Sequence, residues 1–246
     1  MRFAASPNKP SVLDHYIALA FHVRSAARAG AGWAGACVLP ASPAPLRELN
    51  YHLRVYIHLQ TARLSIRRFT AADEDNLVSL NSDPEVMRYI TGGQPVPDRD
   101  QIRDDILPFN LAAYDRHPGF GTWAADDVRT GQFLGWFHLR PRRSDGLIDL
   151  GYRLRRSAWG NGYATEGSRA LIDKGFSEHD IERVVAETMT VNLASRRVLE
   201  KCGLTYIRTY FDDELPAIDG SDQGYIEYQL TRPQWQPASR QSGAGG

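Results

Sequence analysis

A chain of 246 residues is long enough for one sizeable domain with appendages and leaves little room for two. Its 29 basic and 29 acidic residues cancel, so no overall field draws it to nucleic acid or to a membrane surface. The two cysteines, Cys37 and Cys202, are too few and too far apart for a disulfide scaffold or a metal site, and no apolar run is long enough to span a membrane, so a reducing cytoplasm is the expected location.

Residues 1–60 are predicted to be an extension and linker outside the core. The segment before Gly30 has the apolar spacing of an amphipathic helix, which is either a simple appendage or a partner-binding helix. Residues 29–45 are rich in Ala, Gly and Pro, a composition typical of linkers. The domain proper is predicted to span 61–235, and the Ser- and Gly-rich residues 236–246 are expected to be a disordered tail.

The domain is predicted to open with one strand and three helices. Residues 64–69 alternate in the manner of a strand, and the capping pattern at 70–73 begins a helix that runs to about Leu80. A second, short helix begins at Pro84, since proline is favoured at the first helical position. A third is predicted over 98–115, strained or ended near a proline at position 108.

Most of the remaining chain reads as strands separated by turns and helices. Apolar alternation and β-branched or aromatic residues predict six further strands. Helices are predicted to follow the third and fourth of these, the second of them capped by Asn192. The six strands are predicted at 120–125, 132–139, 147–154, 183–189, 204–210 and 225–230.

The link between the strand at 147–154 and the following helix contains a glycine turn. Gly160 and Gly162 allow a tight turn, and the exposed N–H groups of the next helix predict a site for phosphate or pyrophosphate, although the glycines alone are equally consistent with an ordinary turn. Thr165 stands where a dinucleotide fingerprint requires Gly or Ala. Ser168 stands where a P-loop requires Lys, so both of those motifs are excluded.

Three segments, in this order, resemble the GNAT acetyltransferases, and within them the branch that includes the ribosomal-protein N-terminal (alanine/serine) acetyltransferases. They are Leu-Gly-Tyr-Arg-Leu at 150–154, Trp-Gly-Asn-Gly-Tyr-Ala-Thr-Glu at 159–166, and Asn-Leu-Ala-Ser-Arg-Arg-Val-Leu-Glu-Lys-Cys-Gly-Leu at 192–204. The resemblance implies an α+β fold: a mixed, mostly antiparallel sheet of six to seven strands, flanked by helices, with a splayed central pair of parallel strands. It also implies acetyl-CoA as cosubstrate and no metal.

The resemblance further implies which residues bind acetyl-CoA. The glycine turn would hold the pyrophosphate, although Trp159 occupies a position where the family pattern has Arg or Gln. Backbone groups of the strand before it would hold the pantetheine arm as an added strand, and Asn192 would bond the same arm besides capping its helix. The expected contacts are Tyr152, Arg153, Leu154, Trp159, Gly160, Asn161, Gly162, Tyr163, Ala164, Thr165, Asn192 and Ser195.

The acid that protonates the departing thiolate is not the usual one. Many GNAT enzymes use a tyrosine at the position that is Leu199 here, and in the ribosomal branch a serine is thought to replace it. Ser195 is therefore the first candidate, with Tyr152 and Tyr163 as alternatives. A surface hydroxyl without a catalytic role is the other interpretation of Ser195.

The base that deprotonates the amine is expected to be a carboxylate. Asp149 and Glu187 lie on predicted buried strands, which rarely carry a charge without a reason. Burial would raise the pKa of either one toward the working pH. Alternatively, each is a structural acid paired with Arg153 or another arginine.

The predicted activity is acetyl transfer from acetyl-CoA to a primary amine by direct attack on the thioester. A protein N-terminus is the first acceptor considered, and a small amine or aminoglycoside-like molecule the second. An acyl-CoA-binding module without catalysis is the alternative from another class, because the usual tyrosine is missing. The acidic loop at 212–222 would favour a cationic acceptor or is simply solvated, and the protein is expected to be a monomer or homodimer.

Overall fold

The computed structural model describes residues 56–95, 97–142, 145–212, 215 and 217–236. Nearly all of the predicted extension and tail lie outside these described residues. The predicted N-terminal helix, the linker and the disordered tail therefore stay predictions.

The described chain forms a mixed eight-stranded sheet in which only β5 and β6 run parallel. This confirms the predicted fold class, with one strand more than the predicted maximum. The additional strand, β1, precedes residue 61, where the domain was expected to open. The strands are β1 Ile57–Gln60, β2 Leu64–Arg68, β3 Gly121–Asp127, β4 Phe133–Pro141, β5 Ile148–Leu154, β6 Arg183–Met189, β7 Thr205–Tyr210 and β8 Tyr225–Thr231.

The helices begin close to their predicted positions, and one prediction about them needs correction. The third predicted helix does not end at Pro108 but is irregular just before it, as the other alternative of that prediction had it: a π-helical turn at Ile102–Ile106 leads directly into a helix that continues to Arg116. Pro108 lies directly after this π-helical turn, where the ordinary i→i−4 bonding pattern is already interrupted. The helices are α1 Glu74–Asn81, α2 Pro84–Thr91, α3 Arg99–Gln101, α4 Leu107–Arg116, α5 Tyr163–Glu178 and α6 Leu193–Lys201.

Two hydrophobic clusters flank the sheet. The larger one joins β4 and β5 to α5 and α6 through residues such as Phe137, Leu171 and Leu199. The second joins the sheet to α1 and α2 through residues such as Leu80 and Val86. Since the side chains of a strand alternate between its two faces, this arrangement places α5 and α6 on one face and α1 and α2 on the other. Among the residues that the structure describes, no helix has the length and apolar character needed to cross a membrane.

The central parallel pair separates soon after it forms. Strands β5 and β6 pair at Ile148 with Val184 and at Asp149 with Val185, and their described residues form no further pair toward the strand ends. The other edge of β6 is paired with β8 along its whole length, from Arg183 to Met189. The sheet can therefore open only on the β5 side, and this confirms the predicted splay.

Candidate active site

A cleft of about 540 Å³ opens where β5 and β6 separate. It brings together nearly all of the residues that the sequence singled out; Asn161 is the one predicted contact that does not line it. The predicted residues that line it are Asp149, Tyr152, Arg153, Leu154, Trp159, Gly160, Gly162, Tyr163, Ala164, Thr165, Glu187, Asn192 and Ser195.

At one end of the cleft, the glycine turn leads into the 16-residue helix α5. Gly162 is the N-cap, with φ at 81°, a left-handed conformation that suits glycine. It carries no side-chain cap, so the N–H groups of the first turn of α5 are directed at the cleft end. Such a helix start stabilises an anion through those N–H groups and the helix dipole.

The glycine turn is braced from both sides. The indole N–H of Trp159 donates to the carbonyl of Leu154 at 2.8 Å, which ties the turn to the end of β5. Arg63, which follows β1, donates to the carbonyl of Asn161 at 2.9 Å and to Glu166 in the first turn of α5 at 2.7 Å. Trp159 and Asn161 thus have structural roles that the sequence pattern did not reveal.

Asn192 caps α6, as predicted. Its side-chain oxygen accepts a hydrogen bond from the backbone N–H of Ser195 at 3.2 Å. This bond satisfies one of the N–H groups that every helix start leaves without a partner. It also fixes Ser195 at the cleft wall.

The hydroxyl of Ser195 receives a hydrogen bond from the hydroxyl of Tyr152 at 3.1 Å. The structure therefore joins two residues that the sequence offered as alternative acids. Burial raises the pKa of Tyr152, so the phenol stays protonated at neutral pH. The pair can deliver a proton from Tyr152 through Ser195 toward the cleft.

The cleft presents different chemistry on the two faces of the sheet. Tyr152 packs near Phe137, with ring centroids 6.0 Å apart, on the face covered by α5. Asp149 points to the other face, because side chains alternate along β5. Arg153 shares that face and donates to the side-chain oxygen of Asn81 on α1 at 2.5 Å. The hydroxyls of Tyr152 and Ser195 thus lie on one face of the sheet, and the carboxylates lie on the other.

Asp149 is bonded to a histidine that the sequence analysis missed. His138 Nε2 lies 2.9 Å from Asp149 Oδ2, and both side chains are buried in the wall of the cleft. His138 belongs to β4, where it sits opposite Gly151 of β5. The predicted strand at 132–139 included this residue, but no sequence motif connects it to Asp149.

Glu187 is held by two partners. Arg142, which is buried, donates to Oε1 at 2.7 Å, and the Tyr210 hydroxyl donates to Oε2 at 2.9 Å. The alternative interpretation of Glu187 as a paired acid thus has a structural basis, with Arg142 rather than Arg153 as the arginine. Burial raises the pKa of Glu187, Asp149 adds to the rise, and Arg142 opposes it.

Other cleft residues were also missed by sequence reasoning. Arg197 and Lys201 lie four positions apart on α6, and this helical spacing could have indicated a shared face turned toward an anionic ligand. Besides His138, the cleft side chains that α2 and β4 contribute have no comparable signal in the sequence. They are Glu85, Val86, Tyr89, Ile90 and Trp136.

Comparisons with known proteins agree with this geometry. Residues 63–205 match a family profile described as an acetyltransferase (GNAT) domain. Over 186 residues the chain is 34% identical to the FsC-acetyl coenzyme A-N(2)-transacetylase of Aspergillus fumigatus, covering 72% of this chain and 77% of that protein. The chain belongs to the GNAT acetyltransferase family.

Solved GNAT structures share its fold. One is RimL, a ribosomal alpha-N-protein acetyltransferase in complex with coenzyme A, with a TM-score of 0.59 and 18% identity over 71% of this chain and 97% of that one. Another is a spermidine N-acetyltransferase from Vibrio cholerae in complex with CoA and spermine, with a TM-score of 0.56 and 15% identity over 71% and 98% of the two chains. At these identities the likeness concerns the fold alone.

The residues of this GNAT domain fit the acetyl-CoA that the family uses. Among the described residues, an added Cβ at Gly162 would meet only the tip of Arg63, at 3.5 Å, so the backbone there is open to a close approach by pyrophosphate. The edge of β5 beyond Asp149 leaves room for a pantetheine arm to add as a strand.

Proposed function

We propose that this GNAT enzyme acetylates a primary amine that enters the cleft from the α1–α2 face. The observation that carries the proposal is the cleft itself, which runs from the uncapped start of α5 to a wall with Glu85, Asp149 and Glu187. An amine is protonated in neutral water, so these acidic side chains would attract it electrostatically.

The acidic loop supports a cationic acceptor. Asp219 of this loop pairs with Arg88 of α2 at 3.4 Å, which places the loop beside the helix whose residues Glu85 and Tyr89 line the cleft. This exposed pair adds little stability. The pair matters here because it holds the acidic loop beside the cleft.

Within this proposal the two faces of the sheet have separate tasks. Ser195, with Tyr152 behind it, would give a proton to the departing sulfur. Asp149 and Glu187 would draw in the ammonium group from the opposite face. A backbone N–H of the segment 152–154 would meet the developing oxyanion.

The acceptor is proposed to be the amino terminus of a protein or peptide first, and a small amine second. The names of the similar proteins support a nitrogen acceptor in general: one is an N(2)-transacetylase, one acts on an alpha-N-protein group and one on spermidine. These names include both a protein acceptor and a small amine, so an activity screen must contain both classes.

The test is an acetyl-transfer screen with the purified full chain and acetyl-CoA. Release of free CoA thiol is followed with peptides that differ in their first residue, with polyamines and with aminoglycosides, and mass spectrometry locates the added acetyl group. Acetylation of peptide amines in preference to the others supports the proposal. Tight acetyl-CoA binding without thiol release in the presence of any of these amines would contradict it.

A further inference from the structure

We infer that His138 is the group that takes the proton from the acceptor amine, and that Asp149 positions it. This inference rests on the proposed acetylation of an amine and assigns a residue that neither the motifs nor the family resemblance indicated. It begins with the contact between His138 Nε2 and Asp149 Oδ2, 2.9 Å long and inside the wall of the cleft.

The contact determines which ring nitrogen can accept a proton. When Asp149 is ionised its oxygens only accept hydrogen bonds, so Nε2 then carries the hydrogen that is donated to Asp149. A neutral imidazole has one N–H, and its remaining lone pair is therefore on Nδ1. Asp149 also stabilises the imidazolium that forms when Nδ1 takes a proton, as in other carboxylate–histidine pairs.

The imidazole is held in place from several directions. Gly151 stands opposite it on β5, and an added Cβ there would lie 2.5 Å from Cε1 and 2.6 Å from Nε2 of the ring. Trp136 stacks beside it on the same strand, with ring centroids 5.6 Å apart and an interplanar angle of 17°. The absence of a side chain at position 151 is thus what makes room for the ring.

Both carboxylates near the acceptor already have other bonds. One oxygen of Asp149 is bonded to His138, and the two oxygens of Glu187 are bonded to Arg142 and Tyr210. The imidazole of His138 has a ring lone pair that can take a proton, which suits it to act as a general base. The charged groups that line the same cleft face are Asp149, Glu187, Glu85 and Arg153.

The proton balance of the reaction gives His138 a defined task. The ammonium nitrogen begins with three protons and the amide nitrogen ends with one. The carbon–sulfur bond breaks as the carbon–nitrogen bond forms, and the sulfur leaves with one proton supplied from the Ser195 side. Two protons are therefore lost at nitrogen for one gained at sulfur: His138 takes the first of them and passes it to solvent, and the second replaces the proton that the Ser195 side gave to sulfur.

The test compares the full-length enzyme with His138→Gln. The glutamine amide can still donate to Asp149, so the buried carboxylate keeps a partner and the fold is retained. We expect kcat to fall by about 10²–10⁴-fold with acetyl-CoA affinity unchanged by calorimetry. His117→Gln is the matched control, since His117 is exposed at the end of α4 and does not line the cleft; its activity should equal that of the wild type.

Two further readouts separate a base from a merely structural residue. Added imidazole should restore part of the activity of His138→Ala in proportion to its concentration, and the acidic limb of the wild-type rate profile should be missing from His138→Gln. Gly151→Ala, which keeps the histidine but displaces its ring, should also lower kcat. Asp149→Asn should lower kcat less than the loss of His138, as expected of a positioning residue.

The outcomes distinguish this inference from the proposed function. Wild-type transfer to an amine with an equal kcat in His138→Gln would overturn the role of His138 and leave the proposed function standing. A wild type that transfers to no amine would remove both. Loss of activity in His138→Ala without rescue by imidazole, together with an unchanged acidic limb in His138→Gln, would also overturn the role of His138.

Discussion

The hydroxyl groups of Tyr152 on β5 and Ser195 on α6 are joined by a hydrogen bond of 3.1 Å. They come from elements on opposite sides of the splay, 43 residues apart in the sequence. Leu199, at the position where the GNAT resemblance implies a tyrosine, is buried in the larger hydrophobic cluster. The phenol that contacts Ser195 therefore comes from β5 and not from α6.

This relationship predicts that Ser195→Ala and Tyr152→Phe each lower kcat with little change in acetyl-CoA affinity. Acid catalysis by a positioned group contributes about 10²–10⁴-fold, which sets the size of the loss. If the two hydroxyls act as one relay, the double variant should be no slower than the slower single variant. Steady-state kinetics and calorimetry measure both quantities.

Asn192→Ala provides the comparison for the relay. Losing the cap costs about 1 kcal/mol of stability and should also weaken acetyl-CoA binding, because α6 shifts. Equal losses of kcat and of affinity in Ser195→Ala would mean that the serine positions α6 and cofactor. An unchanged rate in Ser195→Ala would remove the serine from the mechanism.

Gly162→Val should abolish acetyl-CoA binding and leave the protein folded. A β-branched side chain at a left-handed φ strains the turn and occupies the space that the pyrophosphate would take. Gly131→Val is the matched control: its φ is 69°, no atom of the described residues lies within 4 Å of the added Cβ, and it does not line the cleft. Near-normal affinity in folded Gly162→Val would refute the anion site.

The domain boundary can be tested by two truncations, beginning at Tyr56 and at Thr61. The shorter protein loses β1, which uncovers the edge of β2 and the Trp123 ring on which His58 stacks at 4.1 Å. We expect the Tyr56 protein to match the full chain in Tm and in acetyl-CoA binding, and the Thr61 protein to melt at a lower temperature. Equal melting temperatures for the two would show that β1 contributes nothing to the fold.

We expect the Asp73 carboxylate to stabilise the folded protein at neutral pH and to lose that contribution in acid. Burial by itself would raise its pKa, but bonds from Arg67 at 2.8 Å and from the Thr70 backbone at 2.8 Å hold that pKa below its ordinary value. A carboxyl with a depressed folded pKa stabilises the protein above its unfolded pKa, near about 4, and loses that contribution as the pH falls through the folded pKa.

Asp73→Asn is therefore predicted to cost about 2 kcal/mol in the free energy of unfolding at neutral pH, and progressively less as the pH falls below about 4. Urea unfolding at several pH values measures the difference. Asp75→Asn serves as control, because the Asp75 side chain is 83% exposed and its ion pair should contribute little at any pH. A cost for Asp73→Asn that does not change with pH would refute the prediction.

The sequence by itself determined the features that depend on near neighbours in the chain. The glycine turn before α5 and the cap at Asn192 are set by backbone conformation and by hydrogen bonds across a few residues, so the local pattern was sufficient. Periodicity located the strands to within a few residues for the same reason. The short strand β1 was the exception, because four residues carry too weak a pattern.

Only the tertiary structure decided which strands are neighbours and which side chains meet. β8 inserts between β6 and β7, His138 on β4 contacts Asp149 on the neighbouring β5, and Arg142 reaches Glu187 from the end of β4. These contacts depend on strand order and register, which are set by the packing of residues distant in the sequence. No local spacing encodes them. The sequence therefore indicated the hydroxyls of Tyr152 and Ser195 separately, and the partners of Asp149 and Glu187 could be identified only in the folded chain.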